Sequence, residues 1–260
     1  MEYTEKPDWV PEAKRQFHEE GYFVLENAIL ASDLAELREQ CQRQLDTHIA
    51  LMERAGAEIL GLSHQSRRYS ISCGFEDIPS LKPFLFGDRM LELVTATLGG
   101  EAYLFLELFA VKPPRTGTPL AWHQDSGYLL GTPHSPFISL WCALDDMTES
   151  NGCLSVLPFG RAESHVVVKH DKDIKTNDLV GYSGNDPGLP LPVPAGSIIV
   201  FSSVLLHRSG VNTTSDFRRA FLACYSHEPI YQANGKLWNQ AVPFLRNGAR
   251  VTEQAVYDHH

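Results

Sequence analysis

Two potential metal ligands stand two positions apart in Trp122-His123-Gln124-Asp125, and a second histidine, His207, opens a distant segment that runs on to Arg218 and Arg219. On an extended strand, residues i and i+2 share a face. His123 and Asp125 can therefore offer an imidazole and a carboxylate to one divalent cation. His207 can complete the set only if the fold brings a far-off strand alongside the first. Two nitrogens and one oxygen on one face leave the other face open, an arrangement that suits non-haem Fe(II). A bare His-x-Asp is common in solvated turns and in cores, and the second segment is what gives this one direction.

Arg218 lies eleven positions beyond His207, on what reads as the next strand. A diacid co-substrate such as 2-oxoglutarate needs a fixed cation at its distal carboxylate, and the planar guanidinium fork supplies one. Arg219 is its neighbour. Strand alternation points the two to opposite faces, so only one can enter a barrel.

The periodicity of the chain changes once. Residues 8–20, about 32–53 and 88–98 carry apolar side chains at helical spacing, with a short strand at 22–25. Ser63 to Tyr69 reads as a polar loop, with Arg67 a candidate for the wall of a substrate pocket. From Ala102 the pattern is of strands: 103–112, 119–124, 137–145, 153–157, 164–168, 197–202, 204–209 and 218–228, separated by Gly, Pro and Asn turns. Helices first and strands later predict a mainly β fold. Its core is a double-stranded β-helix (a cupin-like jelly roll) with the N-terminal helices packed on it. The expected organisation is a single domain over 1–260: mainly helical support to residue 100, the jelly-roll core over 101–230, and a C-terminal extension over 231–260. Residues 169–192 form a long Gly- and Pro-punctuated connection, and long loops of this kind are usually functional or disordered. They are expected to act as a mobile lid, with Tyr182 and Asn185 facing the substrate. His134, in a turn between Pro133 and Pro136, is placed at the rim of the site, whereas His165, His170 and His227 read as structural histidines.

At these residues the chain resembles the phytanoyl-CoA dioxygenase-like family of Fe(II)/2-oxoglutarate-dependent oxygenases. The matching text runs from Trp122 to Asp125, through Ile138 to Asp146, Asn151 to Leu154 with Leu157-Pro158, Pro194 to Ser197, and Phe201 with His207 to Arg219. The resemblance covers roughly residues 100 to 230 and is weaker at the N-terminus, where a helix precedes Gly21-Tyr22-Phe23-Val24. It assigns iron to His123, Asp125 and His207, and the 2-oxoglutarate carboxylate to Arg218. Ser209, Trp141 and Gln124 fall where family members line the co-substrate pocket. It implies a dioxygenase that couples decarboxylation of 2-oxoglutarate, giving succinate and CO2, to oxidation of an unactivated C–H bond by O2, with ascorbate as an accessory reductant. Halogenating relatives have a small residue at the carboxylate position. With Asp125 present, hydroxylation is expected, and desaturation or oxidative ring closure in secondary metabolism is the alternative. A cupin-type hydrolase or isomerase using Zn(II) or Mn(II) would have no use for Arg218. A sensor with a degenerate site would not need every ligand.

Composition narrows the partners. A formal charge of −10 disfavours nucleic acid, which wants clustered Lys and Arg. No run approaches the twenty or so apolar residues of a membrane span, and Met1 to Lys6 lacks the order of a signal peptide. Five widely spaced cysteines, with no Cys-x-x-Cys, read as reduced thiols of a cytoplasmic protein. A small-molecule substrate and a monomer or homodimer complete the expectation. No cluster of basic residues suggests a coenzyme A site, with Arg67-Arg68 the nearest approach to one.

Overall fold

The computed structural model describes residues 8–129 and 131–251. Met1 to Lys6 and the end of the C-terminal extension, 252–260, lie outside the described residues. Helix α1 (Val10–Glu20) turns at Gly21 into β1 (Tyr22–Leu25), and α2 (Ala31–Ala55) follows. Leu37, Cys41, Leu45 and Met52 recur along α2 at three- to four-residue spacing or its multiple, and all are buried, so its charged face is left to solvent. Next come β2 (Ile59–Leu60), β3 (Ser63–His64) and β4 (Tyr69–Ser72), so the polar loop read over Ser63 to Tyr69 is strand at both its ends, before the short α3 (Lys82–Leu85) and α4 (Asp88–Thr97).

The strand-rich part then runs β5 (Ala102–Lys112), β6 (Leu120–His123), β7 (Ile138–Ala143) and β8 (Leu154–Leu157). After a turn of helix, α5 (Phe159–Ala162), come β9 (Asp171–Lys172), β10 (Leu179–Val180) and β11 (Leu189–Leu191). The chain closes with β12 (Ile198–Ser202), β13 (Leu206–Ser209), β14 (Arg218–Ser226), β15 (Val242–Arg246) and β16 (Ala249–Arg250). The wide sheet is ordered β1-β12-β7-β14-β5-β15-β16, with β4 also paired to β5; the narrow sheet is β11-β8-β13-β6. All the pairings within these two sheets are antiparallel. The two curl against each other as a jelly roll.

The expected strand at 164–168 is absent. Its backbone bonds to a side chain instead: Gln124 Nε2 donates to Val166 O (2.9 Å) and Gln124 Oε1 accepts from Val168 N (2.7 Å).

One face of the wide sheet carries the helices. Leu37, Cys41 and Leu45 of α2 share a core with Leu140, Val200, Phe109, Phe221 and Tyr225. The other face meets the narrow sheet, where Trp141, Ile199, Phe201 and Ala220 pack with Val156 and Leu205. Every residue of β7 is buried because both its faces are covered. No helix among the described residues is long and apolar enough to cross a membrane.

Candidate active site

Strand β13 lies antiparallel to β6 with His207 opposite His123. The His-x-Asp pair is not wholly extended, as the sequence had suggested: β6 ends at His123, and Asp125 opens a 3-10 turn through Leu129. The turn carries the carboxylate back toward the two rings. Asp125 Oδ1 lies 3.8 Å from His123 Nε2 and 3.5 Å from His207 Nε2. Among the described residues this is the one group in which three potential donors converge, all within 4.8 Å of one another.

Hydrogen bonds preset the donors. His123 Nδ1 donates to Ala121 O (2.8 Å) and His207 Nδ1 to Leu205 O (3.0 Å), which leaves both Nε2 lone pairs facing Asp125. Burial, reinforced by the neighbouring His207, holds His123 well below the usual imidazole range, so it stands neutral. Ser139 Oγ, on the wide sheet, donates to Asp125 Oδ2 at 2.5 Å. Phe201 packs on the His207 ring, with centroids 4.6 Å apart.

The triad opens into a cavity of about 370 Å³ between the two sheets. Arg218 is 2% exposed and lines it. Its guanidinium lies over Trp141, 5.7 Å from the ring centroid, and its buried Nε has no partner. Burial pulls the arginine down to about 10. Arg219, one residue on, faces the other way and holds Asp145 through two side-chain bonds of 2.9 and 2.8 Å.

A second cation escaped the sequence reading. Lys112, 3% exposed, pairs with Arg218 in the strand register and lines the same cavity. Its ammonium donates to Ser209 O (3.3 Å) and Gly210 O, and burial together with Arg218 pushes it well below the usual lysine range. The signal was alternation: Leu106, Leu108, Ala110 and Lys112 share the inward face of β5, where a lysine is out of place unless something anionic meets it. Arg218 and Lys112 thus place two buried basic side chains on one cavity, and among the described residues neither has a carboxylate partner.

The remaining sequence candidates divide. Ser209 and Trp141 line the cavity beside Arg218. Gln124 does not; its amide is spent on Val166, Val168 and Val204 backbone groups. His134 is likewise outside the lining, bonded to Thr132 O and Ser126 Oγ. Arg67 is exposed, and its neighbour Arg68 takes the cavity position. Tyr182 stacks edge-on to Trp122 and accepts from Asp186 N, while Asn185 is exposed.

The segment 169–192 packs back on the jelly roll. It contains the β9–β10 hairpin, and its β11 pairs with β8. Asp178 is buried against Arg68. Two of its glycines lie at close approaches: a Cβ at Gly181 would meet the His170 ring at 2.6 Å, and one at Gly188 would meet Trp122 at 2.4 Å. His170 itself is structural, accepting from Gln124 N.

Comparison with known proteins adds an independent line. Residues 17–220 match the family model described as phytanoyl-CoA dioxygenase (PhyH). The peroxisomal phytanoyl-CoA dioxygenase of Mus musculus is 25% identical over 239 residues, covering 86% of this chain and 70% of its own. Among solved structures, EvdO2 from Micromonospora carbonacea var. aurantiaca, complexed with 2-oxoglutarate, superposes with a TM-score of 0.66 at 25% identity, covering 86% of this chain and 94% of its own. The epimerase SnoN from nogalamycin biosynthesis has the same fold, with a TM-score of 0.68 at 19% identity over 95% of this chain and 96% of its own.

Proposed function

Since the chain belongs to the phytanoyl-CoA dioxygenase (PhyH) family of Fe(II)/2-oxoglutarate-dependent oxygenases, we propose that it uses Fe(II), 2-oxoglutarate and O2 to hydroxylate an unactivated C–H bond of a small-molecule metabolite. The observation that carries this is the pairing, in one cavity, of a two-histidine, one-carboxylate donor set with buried Arg218, whose Nε has no partner among the described residues. When bound, the metal and co-substrate together supply the oxidising power for C–H cleavage. The residues present fit both. His123 Nε2, His207 Nε2 and Asp125 Oδ1 would hold the metal on one face, with Ser139 fixing the carboxylate.

Arg218 would take the distal carboxylate of 2-oxoglutarate, with Lys112 adding positive charge and Ser209 and Trp141 shaping the surround. The apolar remainder of the cavity excludes water while reaction proceeds. A hydrolase reading leaves Arg218 and Lys112 without an occupant. The cysteines are all unpaired, which suits a reducing compartment such as the cytoplasm, where iron stays ferrous.

The test is oxygen consumption by purified protein with Fe(II), ascorbate and 2-oxoglutarate. Succinate and CO2 should form in step with 2-oxoglutarate loss, and His207→Ala should abolish both along with iron binding. With a turned-over metabolite, hydroxylation adds one oxygen atom drawn from O2, whereas desaturation or ring closure removes two hydrogens and adds none. No oxygen-dependent succinate from iron-loaded protein, or tight stoichiometric iron in the His207→Ala variant, overturns the proposal.

A further inference from the structure

We infer that the cavity takes a neutral, apolar molecule as its substrate, one that arrives without a carboxylate, phosphate or coenzyme A handle. The inference rests on the oxygenase reading for what occupies Arg218 and Lys112. Those two cations and the triad account for one part of the lining. Much of the rest is hydrocarbon, including Leu106, Leu108 and Leu222 from the wide sheet and Phe105, Leu129 and Phe137 around them.

One more cation borders the space, Arg68, and it is already committed. Its Nε donates to Leu62 O (3.0 Å), Nη1 to Pro119 O (2.5 Å) and to Asp178 Oδ2 (3.2 Å), and Nη2 to Thr176 O (3.0 Å) and Asp178 Oδ1. Every N–H of that guanidinium has an acceptor, so it cannot greet an anionic substrate without breaking a buried ion pair. A carboxylate or phosphate entering beside 2-oxoglutarate would be desolvated with no counter-charge, which is costly.

The entrance carries the same character. Leu60, in the β2–β3 hairpin, and Trp238, after β14, both line the cavity while remaining 38% and 37% exposed. Ile59 and Leu237, beside them in sequence, are also exposed. Large apolar side chains left in water at the entrance of an apolar cavity mark a surface that apolar ligands wet. A thioester of coenzyme A would need phosphate partners, and among the described residues no free lysine or arginine N–H other than those of Lys112 and Arg218 lies in the lining.

The experiment uses one carbon skeleton with three head groups: farnesol, farnesoate and farnesoyl-coenzyme A. Each is titrated, with tryptophan fluorescence as readout, into the full chain loaded with Zn(II), which supports no turnover, and saturating 2-oxoglutarate. Binding of 2-oxoglutarate is first measured alone by calorimetry, so its failure would sink the oxygenase reading independently of the head-group result. Farnesol should bind at least about tenfold tighter than either charged form, since only they bury an unpaired charge. Trp238→Ala, at an exposed position that should fold normally, should weaken farnesol several-fold. Leu108→Arg, placing a free cation in the wall, should shift preference toward farnesoate. Equal or tighter binding of farnesoate or its thioester, or no binding of farnesol, overturns the inference.

Discussion

Arg218→Met should make the ligand-free protein more stable and the co-substrate-binding protein much worse. Arg218 is a buried cation with no carboxylate beside it among the described residues. Burial draws it down to about 10, so the folded state disfavours the charged form relative to the unfolded chain. That penalty is in full force at neutral pH, where arginine is charged in both states, and is relieved only as pH rises from about 10 through the unfolded value. At 1.36 kcal/mol per pH unit the cost is about 3 kcal/mol. The contact with Trp141 returns about 1 kcal/mol of it. Methionine keeps the aliphatic stem and fills much of the volume. The net gain should be about 2 kcal/mol, or roughly 4–8 °C in Tm for a chain of this size.

Binding should move the other way. Removing one partner of a buried charge pair costs about 3–5 kcal/mol, so 2-oxoglutarate affinity should fall by about two to four powers of ten. Thermal unfolding of the metal-free protein, without ligand and then with Zn(II) and 2-oxoglutarate, reads both effects. Wild type should rise in Tm with ligand, and the variant should start higher and gain little. A variant less stable than wild type without ligand would mean Arg218 is a structural residue. An undiminished ligand-induced rise would mean the diacid is held elsewhere.

Ser139→Ala removes the bond to Asp125 Oδ2 and should weaken metal binding about 10–100-fold by calorimetry, with the fold intact. Asp178→Asn strips the counter-charge from buried Arg68 and should cost about 3–5 kcal/mol in urea unfolding. Glu107 is lifted to about 7 by burial, despite bonds from Phe75 N and Gln240. Its folded value lies above the unfolded 4.5, so the native state holds the proton longer and stability falls as pH rises from about 4.5 to 7. Glu107→Gln should flatten that fall and leave the protein about 3 kcal/mol more stable than wild type at pH 8, with little difference at pH 4.

The parts of this molecule that were readable from its sequence are those where one local rule decides. Helical spacing in α2 and turn residues between strands are local, and so is the alternation that separates Arg218 from Arg219. What was hidden depends on partners far away in the chain. Tyr69 to Ser72 looks like the end of a polar loop until β5 pairs with it, forty residues on. Residues 164–168 look like a strand, but their backbone is claimed by Gln124, so a side chain expected at the co-substrate was spent on a loop. The glycines of 169–192 suggest hinges in sequence. In space, Gly181 and Gly188 are the positions where His170 and Trp122 leave no room for a Cβ.

The site also divides its work between the two sheets in a way that no single segment reveals. His123 and His207 belong to the narrow sheet, and Arg218 and Lys112 to the wide one. A diacid bound between metal and arginine would therefore bridge the sheets, and its fit depends on their separation. That separation is set by the side chains interleaved between them, where Trp141, Phe201 and Ala220 meet Val156 and Leu205. Two of these serve the site directly, since Trp141 lies under Arg218 and Phe201 packs on His207. Asp125 crosses the same gap, since it follows a narrow-sheet strand yet is held by Ser139 of the wide sheet. Packing between the sheets and geometry at the metal are thus one constraint. A jelly roll can meet it with side chains from distant strands because neither sheet can slide without losing that shared core.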